Sequence, residues 1–133
     1  MFLVRLMYCS MQAGIGDADI EAILDRSRAN NALDAITGAL VYDGMHFLQI
    51  LEGSRTAVSK RTIVICNDKR HKNIEIMDVS PIRARRFPAW TMKYVGETDL
   101  DQDIVSTYSA AGFDPRRMID MDGVVDMMWR LAH

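Results

Sequence analysis

The sequence has few of the residues that build disulfide frameworks, metal sites or membrane spans. Its 133 residues include two cysteines and three histidines, and their spacing fits neither a disulfide framework nor a metal site. No apolar run approaches the ~18 residues of a transmembrane helix, and the first ten residues lack the pattern of a signal peptide. We therefore expect a cytoplasmic protein that binds no metal and does not contact a membrane.

An excess of charge of one sign is also missing. Sixteen Lys and Arg residues oppose eighteen Asp and Glu residues, for a formal net charge of -2. A chain with this balance has no basic footprint for nucleic acid, so direct nucleic-acid binding is not expected. Hydrophobic residues make up 49% of the sequence, which is enough for one domain with a buried core.

The hydrophobic pattern predicts the order β-α-β-β-α-β, followed by a fifth strand and two helices. Strands are expected at 2–9, 36–42, 46–51, 73–80 and 90–95, and helices at 17–29, 55–67, 100–110 and 120–131. Asp43-Gly44 is typical of a hairpin turn, whereas the β-branched run at 62–66 leaves the second helix locally ambiguous. This order predicts a ferredoxin-like α+β fold with an added strand, with helices on one face of the sheet. Such a fold says little about function.

The first helix carries polar side chains on a face that begins as aliphatic. The face has helical spacing and comprises Ile20, Ile23, Leu24, Ser27 and Asn31. A buried Asn needs hydrogen-bond partners, and each unmet group costs roughly 1–3 kcal/mol. The alternative is that Asn30-Asn31 only caps the C-terminus of the helix.

Two strands add further polar groups with apolar neighbours. Gln49 shares a strand face with Phe47 and Leu51, unless it lies on an edge or faces solvent. Tyr8 follows Leu6 on the core face of the first strand, where its hydroxyl group needs a partner, and the alternative is that Tyr8 is only a structural core residue. If the first and third strands are adjacent, Tyr8, Gln49 and Asn31 offer hydrogen bonds but no strong acid, base or nucleophile. Such a set suits holding a planar polar ring better than cleaving a bond.

With these residues located, the sequence resembles the BLUF family, the sensors of blue light using FAD, over roughly residues 2–95. The matching stretches are RLMYCS (5–10), ILDRSRANNALDAITGALVYDG (23–44), FLQILEG (47–53), NDKRHKNIEI (67–76) and PIRARRFPAWTM (81–92). The remaining helices are similar to those of short, stand-alone members. The resemblance implies a flavin-binding domain at 1–96 and a C-terminal helical extension at 97–133 that packs on the same domain.

The resemblance also implies roles for individual residues. Tyr8 and Gln49 would be the photoactive pair, with Gln49 joining the tyrosine to the flavin. Trp90 and Met92, on the fifth strand, would relay the change outward. The implied cofactor-binding residues are Ile23, Ser27, Asn30, Asn31, Phe47, Asp68, Arg70 and His71.

The implied function is that of a blue-light photoreceptor and not of an enzyme. Light would drive electron and proton transfer from Tyr8 to a non-covalently bound, oxidised flavin, and the hydrogen bonds of Gln49 would then rearrange. We expect self-association and signalling to a separate effector protein. The cofactor is expected to be FAD. Several relatives carry a phosphate-binding basic residue where this chain has Val64, so FMN and riboflavin stay open. A phosphate would then be bound by Arg70 or left in solvent.

Two other functions remain to be distinguished. One is a ferredoxin-like regulatory or assembly module without a cofactor, and the other is a small flavin or acyl-group enzyme. Bound flavin would exclude the first, and a photocycle without added substrate would argue against the second.

Overall fold

The computed structural model describes residues 2–133. The elements, in chain order, are β1 (Leu3–Gln12), α1 (Asp17–Leu33), β2 (Thr37–Tyr42), β3 (His46–Ser54), α2 (Arg55–Cys66), β4 (His71–Ile82), β5 (Lys93–Val95), α3 (Gln102–Tyr108) and α4 (Met121–Ala132). The strands form one sheet in the order β4-β1-β3-β2-β5. Neighbouring strands are antiparallel except β2 and β5, which are parallel. The prediction of a ferredoxin-like α+β fold with an added strand is confirmed.

The central strands β1, β2 and β3 are buried on both faces, which explains why β1 is apolar almost throughout. Leu6 and Tyr8 point to the face covered by α1 and α2. Met7 and Cys9 point to the opposite face, which is covered by α3 and α4. Alternating side chains of one strand therefore enter two separate cores. Burial raises the pKa of the Cys9 thiol to about 11, so Cys9 is an inert core residue.

The structure resolves the ambiguity of the second helix. Ser54 begins α2 by accepting a hydrogen bond from the backbone N–H of Ala57 with its Oγ. The β-branched run is helical, and Ile63 and Val64 within it are both more than half exposed. The prediction of a helix is confirmed, because the N-cap and the sheet beneath α2 outweigh the weak β preference of the run.

Several boundaries differ from the sequence prediction, and β1 and β3 each end three residues later than expected. Helix α1 continues to Leu33 and ends where Ala35 adopts a positive φ of 54°, so the interpretation of Asn31 as a C-cap is wrong. Strand β4 is longer than predicted. Strand β5 begins at Lys93 and not at residue 90, so placing Trp90 and Met92 on the fifth strand is also wrong. These two residues lie in an irregular segment, because its carbonyl groups bond to side chains of α1 and to a single backbone group of β2.

Glu52 fastens the loop before β5 to the centre of the sheet. Its side chain is fully buried and pairs with Arg5 at 2.9 Å. The same carboxylate accepts hydrogen bonds from the backbone N–H groups of Arg86 and Phe87 at 3.1 and 2.8 Å. Since β3 also carries Gln49, this contact ties the loop to the strand that contributes to the site described below.

Glu52→Gln is expected to lower the free energy of unfolding by about 3 kcal/mol, because it leaves buried donors and a mostly buried cation poorly paired. Glu75→Gln is the matched control, since the Arg116–Glu75 pair is nearly half exposed, and its loss should cost less than about 1 kcal/mol. Urea denaturation of both variants measures the difference. Equal effects would show that Glu52 does not anchor the loop.

Candidate functional site

A cavity of about 440 Å³ opens between α1, α2 and the sheet. Its size falls in the range of small-molecule and cofactor sites. Nine of the twelve residues singled out in the sequence line it, namely Tyr8, Ile23, Ser27, Asn30, Phe47, Gln49, Asp68, Arg70 and His71. Asn31, Trp90 and Met92 are not in its wall.

Tyr8 and Gln49 form a buried hydrogen bond in the cavity wall. They lie directly opposite each other in the antiparallel β1–β3 ladder, and the Tyr8 hydroxyl group donates to Gln49 Oε1. Burial, with smaller electrostatic contributions from Cys66 and Asp68, raises the pKa of Tyr8 far above its ordinary value. Tyr8 is therefore a neutral phenol and a hydrogen-bond donor. The alternative that Gln49 faces solvent is wrong, since its side chain is only 5% exposed.

The other end of the Gln49 carboxamide faces Met92. Gln49 Nε2 donates to Met92 Sδ at 3.4 Å, and the Met92 side chain is 3% exposed. A thioether sulfur is a weak acceptor with no proton to donate. The carboxamide is thus held strongly at its oxygen by Tyr8 and weakly at its nitrogen by Met92.

Trp90 points away from this network. It packs against the core on the α3 and α4 face, with its ring 5.0 Å from that of His133. His133 in turn stacks on Trp129 of α4 at 3.9 Å between ring centroids. The two proposed relay residues therefore face opposite sides of the sheet, Met92 toward Gln49 and Trp90 toward α4.

His71 closes one side of the cavity in a fixed orientation. Its Nε2 lies 2.7 Å from the carbonyl oxygen of Ile65, and its Nδ1 lies 2.7 Å from Ser10 Oγ. The carbonyl can only accept, so Nε2 carries a proton and donates to it. The ring meets those of Tyr8 and Phe47 edge-on, at centroid distances of 6.1 and 6.2 Å.

Asp68 and Arg70 form an ion pair at the same end of the cavity. Arg70 Nη2 lies 2.6 Å from Asp68 Oδ2, and its Nε contacts both carboxylate oxygens. The Arg70 hydrogen bond is the main reason that the pKa of Asp68 is lowered, and the same contact raises the pKa of Arg70. Both side chains are charged and remain about one-third exposed.

Asn31 lies beside the irregular segment and not in the cavity wall. Its Nδ2 donates to the carbonyl oxygen of Thr91 at 2.8 Å. Its Oδ1 is buried and finds no hydrogen-bond partner within residues 2–133. An unmet buried acceptor is costly, so this atom marks a place where a donor from outside the chain would be stabilising.

Sequence reasoning missed several lining residues, and helical spacing could have found most of them. On α1 the wall residues Ile23, Arg26, Ser27 and Asn30 follow the i, i+3, i+4, i+7 pattern. On α2 the wall residues Arg61, Val64 and Ile65 follow i, i+3, i+4. Leu40, Asn67 and Lys69 were also missed, and their positions follow from the strand pairing and the loop after α2.

Arg61 is the most informative of these additions. Its Nη2 pairs with Asp34 at 2.9 Å, while its Nε is buried and has no partner among the described residues. With Arg26, Lys69 and Arg70 it places positive charge around the cavity.

Within residues 2–133 no group of three His, Cys, Asp or Glu side chains could hold a metal ion. No helix in the same range is long and apolar enough to span a membrane.

An apolar cavity with hydrogen-bonding amides and a cationic rim defines a protein that binds an organic ligand through an α+β domain. The family model BLUF, "Sensors of blue-light using FAD", matches residues 3–93, and this chain belongs to that family. BLUF domains are blue-light sensors that bind flavin, and residues 3–93 of this chain form such a sensor domain.

Solved structures and curated proteins agree with this assignment. The chain is similar to the BLUF protein BlrB in its dark state, with 33% identity, a TM-score of 0.79 and coverage of 98% of this chain and 94% of the other. BlsA in its photo-activated state gives 29% identity and a TM-score of 0.86, with coverage of 98% and 94%.

Among curated proteins, the chain is 32% identical to the photoactivated adenylate cyclase subunit beta of Euglena longa over 91 residues. That match covers 68% of this chain and 10% of the cyclase subunit. The chain thus spans about a tenth of the length of this relative, whose cyclase activity is not carried over to it.

Proposed function

We propose that this chain is a blue-light receptor in which Tyr8 and Gln49 form the switch and a flavin binds non-covalently between α1 and α2. The observation that carries the proposal is the buried Tyr8–Gln49 hydrogen bond in the wall of the cavity. Membership of the BLUF family supports flavin binding and disfavours the alternative of a cofactor-free module.

The residues present fit a flavin. Ile23, Leu40, Phe47 and Ile65 offer apolar walls for a planar ring. Arg61 Nε, in the cavity wall, lacks a partner within residues 2–133 and suits a phosphate oxygen. Asn31 Oδ1 also lacks a partner in that range; it lies outside the wall, next to the wall residue Asn30, and we propose that it accepts from a ring N–H once the flavin is bound. Arg61 lies one turn before Val64, so it can supply the phosphate contact that Val64 cannot. A phosphate contact favours FAD or FMN over riboflavin, and because the family description names FAD, we propose FAD as the cofactor.

When bound, the flavin absorbs blue light and, once excited, becomes an oxidising electron acceptor. Burial raises the pKa of Tyr8, so its hydroxyl group stays protonated. Tyr8 would therefore give up an electron as a neutral phenol. Loss of an electron makes a phenol strongly acidic, so its proton passes along the existing hydrogen bond to Gln49 Oε1. Return of the electron and proton restores Tyr8 but leaves the carboxamide free to settle in a second arrangement.

The two arrangements of the Gln49 carboxamide differ in energy because the Met92 sulfur can accept a hydrogen bond but cannot donate one. In the structure, Oε1 accepts from Tyr8 and Nε2 donates to the Met92 sulfur. If the carboxamide rotates by half a turn, Oε1 faces a thioether that has no proton to give. Such an unmet acceptor costs roughly 1–3 kcal/mol. The rotated state is therefore discrete and decays back in the dark.

The output path that we propose runs through the segment before β5. Met92 contacts Gln49 on one face of the sheet, and Trp90 contacts His133 and α4 on the other. Residues 1–96 would then be the flavin-binding part and residues 97–133 the output helices on the opposite face.

We further propose that the chain acts in the cytoplasm, self-associates and passes the signal to a separate effector. BLUF relatives that include photoactivated cyclases support the use of an effector.

Asn31→Ala is expected to weaken flavin binding by about 5- to 100-fold, the equivalent of roughly 1–3 kcal/mol, because it removes a buried polar side chain. Flavin-free protein titrated with FAD, FMN and riboflavin, followed by quenching of flavin fluorescence, measures the effect and ranks the three ligands. Gln102→Ala is the control, since Gln102 is exposed at the start of α3. Absence of binding in the unmodified chain would contradict the proposed function, and unchanged binding in Asn31→Ala would contradict only the role of Asn31.

A further inference from the structure

The segment that contains Trp90 and Met92 is not part of a regular β-ladder. It is held in place by hydrogen bonds that three of its successive carbonyl groups accept. The Trp90 carbonyl accepts from the backbone N–H of Gly38 at 3.1 Å. The Thr91 carbonyl accepts from Asn31 Nδ2 at 2.8 Å. The Met92 carbonyl accepts from Arg28 Nε at 3.1 Å. Pairing with β2 in the parallel ladder begins only at Lys93, so these bonds determine where Met92 lies.

Met92 depends on such an anchor more than most core residues would. A methionine side chain is unbranched and flexible, so it fills space without fixing its own position. The Met92 sulfur must nevertheless stay within 3.4 Å of Gln49 Nε2 to satisfy that donor. Among the three anchors, only Arg28 bonds to the backbone of Met92 itself.

Arg28 has no other hydrogen-bond partner within residues 2–133, and it forms no ion pair with a carboxylate in that range. A charged donor to a carbonyl makes a stronger bond than a neutral one. Arg28 follows Ser27, a residue of the cavity wall, on the same helix. Its guanidinium group therefore joins the helix that lines the cavity to the backbone of the residue that contacts Gln49.

We propose that Arg28 is a positioning residue that holds Met92 against the Gln49 carboxamide and thereby favours the dark arrangement. This inference rests on the proposed function. In the rotated arrangement the contact between Met92 and Gln49 Nε2 is lost, and a held Met92 keeps the acceptor in place for the return. Without Arg28 the acceptor is less often in place, so the dark recovery is slower.

Arg28→Met keeps an unbranched apolar stem and removes the charged donor. Its dark recovery after a blue flash should be about fivefold slower than that of the unmodified protein, as expected for the loss of one hydrogen bond. Arg28→Lys retains a charged donor and should restore recovery to within about twofold of the unmodified rate. Arg83→Met is the matched control, because Arg83 is exposed. Recovery of Arg28→Met at the unmodified rate, or an equal slowing in Arg83→Met, would overturn the inference.

A measurement in the dark separates this inference from the proposed function. In protein labelled with 13C-methyl methionine, the Met92 methyl resonance, assigned with Met92→Leu, should shift or broaden in Arg28→Met and stay unchanged in Arg83→Met. An unchanged Met92 resonance in Arg28→Met would refute the positioning role even if the protein responds to light. If the unmodified protein has no photocycle, the proposed function fails, and the resonance still decides whether Arg28 positions Met92.

Discussion

Tyr8→Phe is expected to bind flavin and to lose the light response, with an absorption red shift reduced more than about tenfold. The substitution removes a single oxygen from a side chain that is 4% exposed, so packing is preserved. It deletes both the proton that passes to Gln49 and the donor that holds the carboxamide in place. The light-minus-dark difference spectrum measures the result.

Tyr42→Phe is the matched control for this variant. The Tyr42 ring stacks on Phe47 of the cavity wall with a centroid distance of 4.5 Å, and its hydroxyl group donates to the carbonyl of Gly44 at 3.0 Å. Removing this hydroxyl group should leave the red shift intact. An undiminished red shift in Tyr8→Phe would mean that another residue supplies the electron and proton.

Gln49→Leu is expected to abolish the red shift as fully as Tyr8→Phe does. Leucine has a similar size but can neither accept from Tyr8 nor donate to Met92, so no second hydrogen-bond arrangement exists. The variant also leaves the buried Tyr8 hydroxyl group without its acceptor, which should lower stability by roughly 1–3 kcal/mol. Difference spectroscopy and urea denaturation measure the two effects.

Gln102→Leu provides the control for loss of a carboxamide, because Gln102 lies at the exposed start of α3. It should leave both the spectrum and the stability nearly unchanged. A reversible red shift of normal size in Gln49→Leu would show that the spectral change does not arise from the rearrangement of this carboxamide.

The contact between Tyr8 and Gln49 could be predicted because it depends on two simple regularities. The period of two residues places Tyr8 with Leu6 and Gln49 with Phe47, and the split order of strands places β1 beside β3. The observed register then sets the two side chains opposite each other. The contact between Tyr8 and Gln49 therefore follows from regular secondary structure.

The surroundings of Trp90 and Met92 could not be predicted in the same way. Their segment was expected to be a strand, which would put both side chains on one face. Instead its path follows hydrogen bonds from Arg28 and Asn31, more than fifty residues earlier, and the two side chains face opposite sides. Contacts between a side chain and a distant backbone carbonyl leave no periodic signal in the sequence.

Which residue of α2 could contact a phosphate was also not predictable from the sequence. Val64 left the phosphate contact open in the sequence, whereas Arg61 reaches the cavity from one turn earlier on α2. Its ion pair with Asp34 orients the side chain, and that pairing depends on how α1 ends. The cationic rim is thus a product of tertiary structure.

The most direct test is an absorption spectrum of the purified, flavin-loaded protein before a blue flash, directly after it, and during recovery in the dark, with no substrate added. The account predicts an oxidised flavin spectrum that shifts slightly to the red and returns completely. A spectrum that bleaches without a red shift, or that does not respond to light, would contradict the assignment of Tyr8 and Gln49 as a photoactive switch.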